Sequence, residues 1–423
     1  MKMNKWTVGL TALGVVSLAS AVRAEEKMST VQTALSATTL SGYVDTSAQY
    51  NPGPGAGQLV PGYYLNDSRY ANGFNLDVVA LNIEKKLTDA EWVAGYAVDL
   101  WMGPQANQLG TTSTFGGPTS DFAIKQAYVA LRVPVGTGLT MKLGVFDSPL
   151  GYESVASVGS DGVLKNPNFT RSYGCTMEPS TFTGLLASYQ VVEMVKITAG
   201  IADTYGSQIN QRIADQTASN ASGVTKPASF LTYMGAVEVT APESTGFLEG
   251  SKLWAGIVNG FNSSTPANAA GVQADQTSFY VGATVNTPIK QLTAGVAYDY
   301  VSVNAQPLTW DNSGYANAVA GYLSFKATEK MSLHGRAEYA THGGPSVNGL
   351  PNRVLGLTGT VQYDLWLNVI TRLEARFDRN LNGPDSSNPA GGNVYGWDPN
   401  AGAFGSATSQ NAFMLALNVI YKF

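Results

Sequence analysis

The chain has 423 residues, of which 44% are hydrophobic and only 13% are charged, and its formal net charge is −5. This charged share is about half that of an ordinary soluble domain, while a mean hydropathy of −0.04 excludes a bundle of membrane helices. The negative net charge argues against a nucleic-acid-binding protein. Abundant Gly (46) and Tyr (21) instead fit a β protein whose strands keep charge off one face.

The first residues have the pattern of a secretory signal peptide. Lys2 and Lys5 precede a run of small and apolar residues that ends at Val22, and cleavage is expected after Ala21 or Ala24. The run is too short and too polar for a membrane-spanning helix. We therefore predict three regions of an exported protein: a signal peptide at 1–24, a periplasmic extension at 25–39 and a folded β domain at 40–423.

From residue 40 onward, apolar and polar residues alternate with a period of two, which indicates strands rather than helices. Residues 368–378 show this best, whereas residues 122–133 alternate poorly. Sixteen runs can be counted, centred near residues 45, 80, 96, 128, 143, 185, 198, 235, 256, 281, 296, 322, 335, 358, 373 and 417.

The gaps between these runs alternate in length. Short links such as 87–90, 135–138, 287–290 and 327–330 separate long polar gaps at roughly 51–73, 103–120, 149–179, 204–229, 262–276, 302–317, 341–352 and 379–410. Greek-key connections of a soluble sandwich would not place every long loop at one end. A lipid-exposed sheet must also close, because no backbone group can stay unpaired in hydrocarbon. We predict an all-β transmembrane up-and-down antiparallel β-barrel of about 16 strands, with short periplasmic turns and long external loops.

The chain ends in the strictly alternating stretch NAFMLALNVIYKF. In a closed barrel the last strand pairs with the first, and Tyr421 and Phe423 would lie in the aromatic girdle at the membrane interface. The stretch also resembles the C-terminal assembly signal of bacterial outer-membrane barrels. This resemblance implies that the barrel-insertion machinery recognises Tyr421 and Phe423, and that lipid and lipopolysaccharide surround the barrel.

Three internal segments, 141–153, 165–174 and 178–189, resemble the OmpL-like β-barrel outer-membrane porins, as does the first strand, LSGYVDTSAQYN. The matching residues are Gly144, Phe146, Gly151, Glu153, Asn166, Pro167, Asn168, Phe169, Thr170, Arg171, Ser172 and Pro179. The resemblance implies a porin of a Gram-negative outer membrane and names no solute. Fold analogy adds the expectation of a homotrimer.

Sixteen strands enclose more space than their own side chains can fill, so a water-filled channel is expected. Charged residues on the inward parity should line its wall: Lys142, Lys196, Asp299, Arg336, Glu338, Arg372, Glu374 and Arg376. Facing rows of opposite charge would create a transverse field in the channel. Alternatively, these charges pair with one another and stiffen the wall, and both descriptions can hold at once.

The long gap at about 149–179 is predicted to fold into the lumen and to form the constriction. Its candidate constriction residues are Glu153, Asp161, Lys165, Asn166, Asn168, Phe169, Arg171 and Tyr173. Arg171 is expected to pair with Glu153 or with an acidic wall residue. An excess of acids around this loop predicts a weak cation preference. The alternative is an external loop shaped by contacts between barrels.

Passive diffusion of small hydrophilic solutes is therefore the leading functional hypothesis. A sugar- or peptide-selective channel that uses Tyr152, Phe169 and Tyr173 is one alternative, and a non-conducting scaffold barrel is another. An enzyme ranks last, because the chain has only two histidines and one cysteine and lacks phosphate- or dinucleotide-binding motifs. The sequence calls for no cofactor and no metal site.

Overall fold

The computed structural model describes residues 37–52, 72–109, 111, 120–211, 231–263, 273–306, 314–343, 353–382 and 410–423. The described residues contain sixteen strands: β1 (Thr39–Tyr50), β2 (Asn72–Lys85), β3 (Val93–Met102), β4 (Phe122–Val133), β5 (Leu139–Asp147), β6 (Thr181–Val192), β7 (Val195–Ala202), β8 (Thr232–Thr240), β9 (Lys252–Ser263), β10 (Gln273–Asn286), β11 (Leu292–Gln306), β12 (Gly314–Lys326), β13 (Met331–Gly343), β14 (Arg353–Trp366), β15 (Val369–Asn380) and β16 (Asn411–Lys422). Each lies at one of the sixteen predicted positions.

Helices are few and short among the described residues. A five-residue helix, α1 (Tyr173–Met177), lies between β5 and β6, and two 3-10 helices span Pro104–Gln108 and Glu243–Leu248. None of these described helices is long and apolar enough to cross a bilayer. The strands therefore dominate the described architecture.

The strands form one closed antiparallel barrel in which each strand pairs with its neighbours in the chain and β1 pairs with β16. At this seam, Val44 lies opposite Tyr421 and Ala48 opposite Leu417. Phe423 continues the pairing, because its N–H donates to the Gly42 carbonyl at 3.0 Å and its carbonyl accepts from the Gly42 N–H at 2.9 Å. The predicted barrel is confirmed, and the chain end is held in its wall.

Alternation of side chains gives the barrel two different faces. On β15, Leu373 points outward with 56% of its surface exposed, whereas its neighbours Arg372 and Glu374 are fully buried inside. On β16, Leu417 is exposed while Met414 is buried. The outer face is thus apolar, as a lipid-facing wall requires.

The poor alternation of the fourth strand has a local cause. A β-bulge between Asp99 and Leu100 shifts the register between β3 and β4. A bulge adds one residue to one strand and so changes which side chains point inward. As a result, Lys125 and Tyr128 both face the interior of the barrel. Strict alternation would place two residues three positions apart on opposite faces.

Most of the predicted long loops, the signal peptide and nearly all of the extension lie outside the described residues. Three long-loop segments are described in part or in full, at residues 103–121, 148–180 and 203–211. The second of them connects β5 to β6 and makes the contacts analysed below.

Changing Phe423 to Asp should sharply reduce the amount of inserted barrel. The phenyl ring lies so close to Gly42 that a Cβ at that position would collide with it, and half of its surface is exposed on the apolar side. Lost aromatic burial costs only about 1.5–3 kcal/mol, so a strong defect would point to failed recognition during insertion. The measurement is the heat-modifiable band in outer-membrane fractions, with Phe423→Tyr as the control. Wild-type levels of the Asp variant would contradict the assembly-signal interpretation.

Candidate functional site: a loop folded into the barrel

Residues 148–180, here called the inward loop, lie inside the barrel. Near its start, Leu150 packs over Gly256 of β9 and Tyr152 packs over Gly295 of β11, and a Cβ at either glycine would collide with the loop. The Tyr152 ring also stacks on Tyr322 of β12, with 4.3 Å between centroids. The two glycines thus allow the loop to approach the wall closely.

The middle of the loop is a hairpin whose two limbs are joined by Asn166. Its side-chain oxygen accepts from the Ser154 N–H at 2.8 Å, and its amide group donates to the carbonyls of Ser154 and Ala156, both at 2.8 Å. Nearer the tip, Val158 pairs with Leu164 as an isolated bridge. Local hydrogen bonds therefore define the hairpin without help from the wall.

The hairpin tip reaches the barrel seam. Ser157 donates to the Asp45 carboxylate of β1 at 2.6 Å, and Lys422 of β16 donates to the Gly162 carbonyl at 3.0 Å. Val158 packs in an apolar cluster with Tyr43 of β1. The loop thus crosses the lumen from β9 to β1.

The returning limb is held by Glu374 of β15. This buried carboxylate accepts the N–H groups of Phe169 and Thr170 at 2.6 and 2.9 Å and the Thr170 hydroxyl at 2.6 Å. It also accepts the Thr360 hydroxyl of β14 at 2.7 Å. Four donors around one carboxylate satisfy its acceptor capacity, which makes the burial of its charge tolerable.

Two buried arginines complete the attachment. Arg336 of β13 contacts Glu153 of the loop at 2.9 Å and Glu338 at 3.1 Å, and it donates to the Thr170 carbonyl at 2.7 Å. Arg376 of β15 contacts Glu338 at 3.3 Å. These side chains have at most 1% of their surface exposed. Because desolvated charges need partners on every side, release of the loop would leave Arg336 without Glu153 and without the Thr170 carbonyl.

Arg372 and Tyr173 add further hydrogen bonds between the loop and the wall on either side of this network. Arg372 donates to the Asn168 carbonyl at 2.8 Å and to Asn418 of β16 at 2.7 and 2.9 Å. The Tyr173 hydroxyl donates to Asp378 at 2.7 Å. The loop is thereby attached along the inner faces of β13 to β16.

The prediction that Arg171 pairs with Glu153 or with a wall acid is wrong. Its guanidinium donates to the carbonyls of Ser154, Phe169 and Val155 at 2.8, 2.7 and 3.1 Å. The wall supplies Arg336 as the partner of Glu153, so Arg171 is left to join the two limbs of the loop.

The structure places the predicted constriction residues in two groups. Six of them are buried within the loop or against the wall: Glu153, Asn166, Asn168, Phe169, Arg171 and Tyr173. Asp161 and Lys165 lie at the hairpin tip with 45% and 37% of their side chains exposed and 3.0 Å between charged atoms. The polar groups of the buried six are occupied in holding the loop, so Asp161 and Lys165 are the two candidates that remain at its exposed surface.

The predicted wall residues divide in the same way. The inward loop covers or closely approaches those that are buried: Asp299, Arg336, Glu338, Arg372, Glu374 and Arg376. Lys142 and Lys196 keep partial exposure. The expected rows of free charge along β13 and β15 are therefore wrong as a channel lining, and the alternative of paired charges that stiffen the wall describes them.

Several residues that hold the loop or line the interior were not identified from the sequence, although a pattern in the sequence marks two of them. Asp45 and Asn418 lie on the inward parity of β1 and β16, and Asn418 is the polar exception in a run of small and apolar residues. No pattern marks the ion pair between Lys125 and Asp147, with 2.5 Å between charged atoms, because the bulge interrupts the alternation of inward and outward residues on β4.

The loop leaves the lumen through α1, where Glu178 hydrogen-bonds Asp299 of β11. Burial, followed by the charge of Asp299, raises the pKa of Glu178 well above its ordinary 4.5, which favours a protonated carboxyl group at this contact. Burial also raises the pKa of the Cys175 thiol. Cys175 is the only cysteine in the chain and is buried, so its reaction with thiol reagents can report release of the loop.

A cavity of about 250 Å³ opens between the limbs of the loop and the adjoining ends of β5 and β6. Asp147, Tyr152, Lys165 and Glu178 are among the residues that line it. Within the described part of the chain, no three His, Cys, Asp or Glu side chains are arranged to hold a metal ion. The chemistry available here is that of a polar, water-accessible opening.

Replacing Glu374 with Gln should release the returning limb, because an amide cannot accept all four donors. Buried donors left unpaired cost about 1–3 kcal/mol each, which corresponds to at least about a tenfold rise in loop opening. The rate at which a maleimide labels Cys175 in the folded barrel measures this. Asp364→Asn, on the next strand and without a described loop contact, is the matched control. Unchanged labelling in Glu374→Gln would show that the loop is held elsewhere.

Docking of α1 should weaken as pH rises. Because the pKa of Glu178 is higher in the docked loop, docking is strongest below about pH 4.5 and weakens as pH rises toward the raised value. Glu178→Gln keeps a donor for Asp299 and removes the titration. We expect the ratio of Cys175 labelling rates, wild type over Glu178→Gln, to grow as the pH rises above about 4.5. A ratio that stays flat would exclude a shared proton at this contact.

Comparison with known proteins agrees with this architecture. Residues 37–423 match the model of a family described as "Putative beta-barrel porin-2, OmpL-like", and no curated protein matches the sequence. Among solved structures, the outer membrane channel DcaP of Acinetobacter baumannii is similar at 10% identity over 91% of this chain and 97% of that chain, with a TM-score of 0.56. An anion-selective porin from Comamonas acidovorans is similar at 12% identity over 91% and 99%, with a TM-score of 0.55.

OmpT of Vibrio cholerae, solved in a trimer form, is similar at 12% identity over 91% of this chain and 99% of that chain, with a TM-score of 0.51. Identities this low show a shared fold and nothing finer. The family match extends over the whole barrel and includes the inward loop. The chain therefore belongs to the OmpL-like β-barrel porin-2 family and is an integral porin of a bacterial outer membrane.

Proposed function

We propose that the porin passes small hydrophilic solutes by passive diffusion and that the inward loop is its constriction. The observation that supports this is the attachment of one loop at three separate places on the inner wall: β9 to β12, the β1–β16 seam, and β13 to β15. Irregular backbone at membrane depth is stable only inside protein or in a wet cavity. A loop fixed in this way narrows the lumen permanently.

The free passage then lies between the hairpin tip and the wall from β5 to β9. On the loop side, Asp161 and Lys165 are accessible. On the wall side, the side chains of Lys196 and Lys252 have 44% and 42% of their surface exposed. Polar groups on both sides favour hydrated solutes and disfavour apolar ones.

The alternatives differ in measurable ways. In a sugar- or peptide-selective channel, Tyr152 could contact solute, whereas Phe169 and Tyr173 are only 4% and 0% exposed and cannot. A scaffold barrel would be electrically silent. The family and the fold are those of a channel rather than of an enzyme.

The outer surface supports two further parts of the proposal. Exposed aliphatic and aromatic side chains around the barrel suit contact with lipid and lipopolysaccharide. The trimer form of the similar OmpT supports a homotrimer for this chain. Neither part affects the argument for the loop, which rests on contacts within one chain.

Removing residues 155–164 should enlarge the opening. Ser154 and Asn166 already bond each other across the limbs, so the ends of the excision lie close together and the anchors at Glu374 and Arg372 are kept. Single-channel conductance and the solute exclusion limit should both rise relative to the wild type. Asp161→Ser, which keeps the loop length and makes the hairpin tip at 159–162 entirely Gly and Ser, is the control for altered composition.

Two outcomes would contradict the proposal. A folded deletion variant with unchanged conductance would place the constriction elsewhere. A wild-type barrel that conducts no current would favour the scaffold alternative. Heat-modifiable mobility of each variant verifies that the barrel has closed.

A further inference from the structure

The wall opposite the docked loop carries lysines whose charge is not balanced. Lys196 of β7 and Lys252 of β9 both contact a single carboxylate, Glu238 of β8, at 3.2 and 2.6 Å. The three residues pair across neighbouring strands, Lys196 with Glu238 and Lys252 with Thr240. One positive charge is therefore in excess at this end of the lumen.

Lys142 of β5 adds a second unbalanced charge. Within the described part of the chain, no carboxylate lies within 4.0 Å of its ammonium group, and Glu84, which lines the same cavity of about 240 Å³, pairs with Lys86 at 3.2 Å. Its nearest described partner is the ring of Tyr128, with Nζ 4.5 Å from the centroid. Lys142 is thus a cation beside an aromatic surface that opens into a cavity.

Three of the four acids that predicted a weak cation preference are paired with cations, and the fourth, Glu178, lies against Asp299 under the inward loop. Asp147 contacts Lys125 at 2.5 Å, Glu153 contacts Arg336 at 2.9 Å, and Asp161 contacts Lys165 at 3.0 Å. Paired charges of opposite sign produce little field at the distance of a solute. Asp99 of β3 also lies 3.9 Å from Lys125. From β3 to β9, the side chains named here are therefore four lysines and three carboxylates, and this part of the wall has a surplus of one positive charge.

Aromatic rings accompany the unbalanced lysines at both places. Trp254 lies beneath Lys252, with 5.9 Å from Nζ to the ring centroid. Tyr128 and Trp254 both pack on the edge of the interior apolar cluster and remain partly exposed. An ammonium group beside an aromatic face is complementary to an organic anion that has a carboxylate at one end and an apolar body at the other.

We propose that the inner wall from β5 to β9 is a binding track for small organic carboxylates with an apolar or aromatic body. The track has two stations, Lys142 with Tyr128 and the pair of Lys196 and Lys252 with Trp254. Because both stations are partly exposed to water, each binds weakly, and weak successive sites speed passage rather than trap the solute. The inference rests on the proposed function only in requiring an open channel.

Benzoate tests the track in planar bilayers, with neutral benzyl alcohol and inorganic phosphate as comparison probes. The reversal potential in a potassium chloride gradient should show anion preference. Benzoate should reduce the chloride current at lower concentration than either comparison probe. Lys142→Gln combined with Lys252→Gln leaves Glu238 paired with Lys196, and it should weaken the benzoate effect up to about fivefold, the upper end of the scale for one exposed ion pair.

Lys330→Gln, an exposed turn residue with the same change of charge, is the matched control and should leave both readings unchanged. Cation selectivity of the wild type, or an unaltered benzoate effect in the double variant, would overturn the track. Equal block by phosphate would overturn the requirement for an apolar body. An open pore without these effects contradicts the track alone, whereas a silent barrel or a loop deletion without effect contradicts the proposed function.

Discussion

The buried contacts of Arg336 are the constraint on which the interior depends. Its guanidinium joins Glu153 at the start of the inward loop to Glu338 on the wall. It also donates a hydrogen bond to the Thr170 carbonyl and so holds the backbone of the returning limb. A charged group without water needs all of these partners at once. Docking is therefore close to all-or-none: a partly lifted loop would leave guanidinium and carboxylate groups desolvated and unpaired. A rigid constriction follows from electrostatics, while the apolar contacts of Leu150 and Tyr152 determine where along β9 to β12 the loop lies.

The same contacts change the electrical character of the lumen. The charged side chains of β13 and β15 are paired with one another or bonded to the loop. The half of the barrel with the most ionisable residues therefore contributes little electric field to the passage. The opposite half has fewer charges, but Lys142 and the pair of Lys196 and Lys252 are incompletely balanced. Net charge of the chain, which is negative, is thus a poor guide to the field that a solute meets, because pairing decides which charges remain effective.

The barrel could be predicted from the sequence because strand and turn signals are local: a period of two, and alternating gap lengths. Parity also placed Arg336, Arg372 and Glu374 inside. The sequence predicted that a loop enters the lumen but could not show which wall residues the loop contacts, because Glu153 and Arg336 are 183 positions apart and their contact depends on how the closed barrel packs. Arg171 shows the same limit. It donates to backbone carbonyls while Glu153 is paired with Arg336, and the sequence does not reveal that pairing. The bulge between β3 and β4 likewise leaves no composition signal, only a break in alternation.

The reach of the loop bears on the order in which the molecule can assemble. Its anchors on β15 lie 204 and 205 positions further along the chain, and its tip contacts Asp45, 112 positions earlier. Contacts of such long range form late and slowly, after the cost of closing the intervening chain has been met. Until β15 is in the wall and β1 has paired with β16, Glu374 and Asp45 are not positioned to hold the loop, so the loop must remain hydrated until the last strands have joined the first. Narrowing of the lumen is therefore the final event of maturation, and a barrel caught before it would be a wider and leakier pore than the finished one.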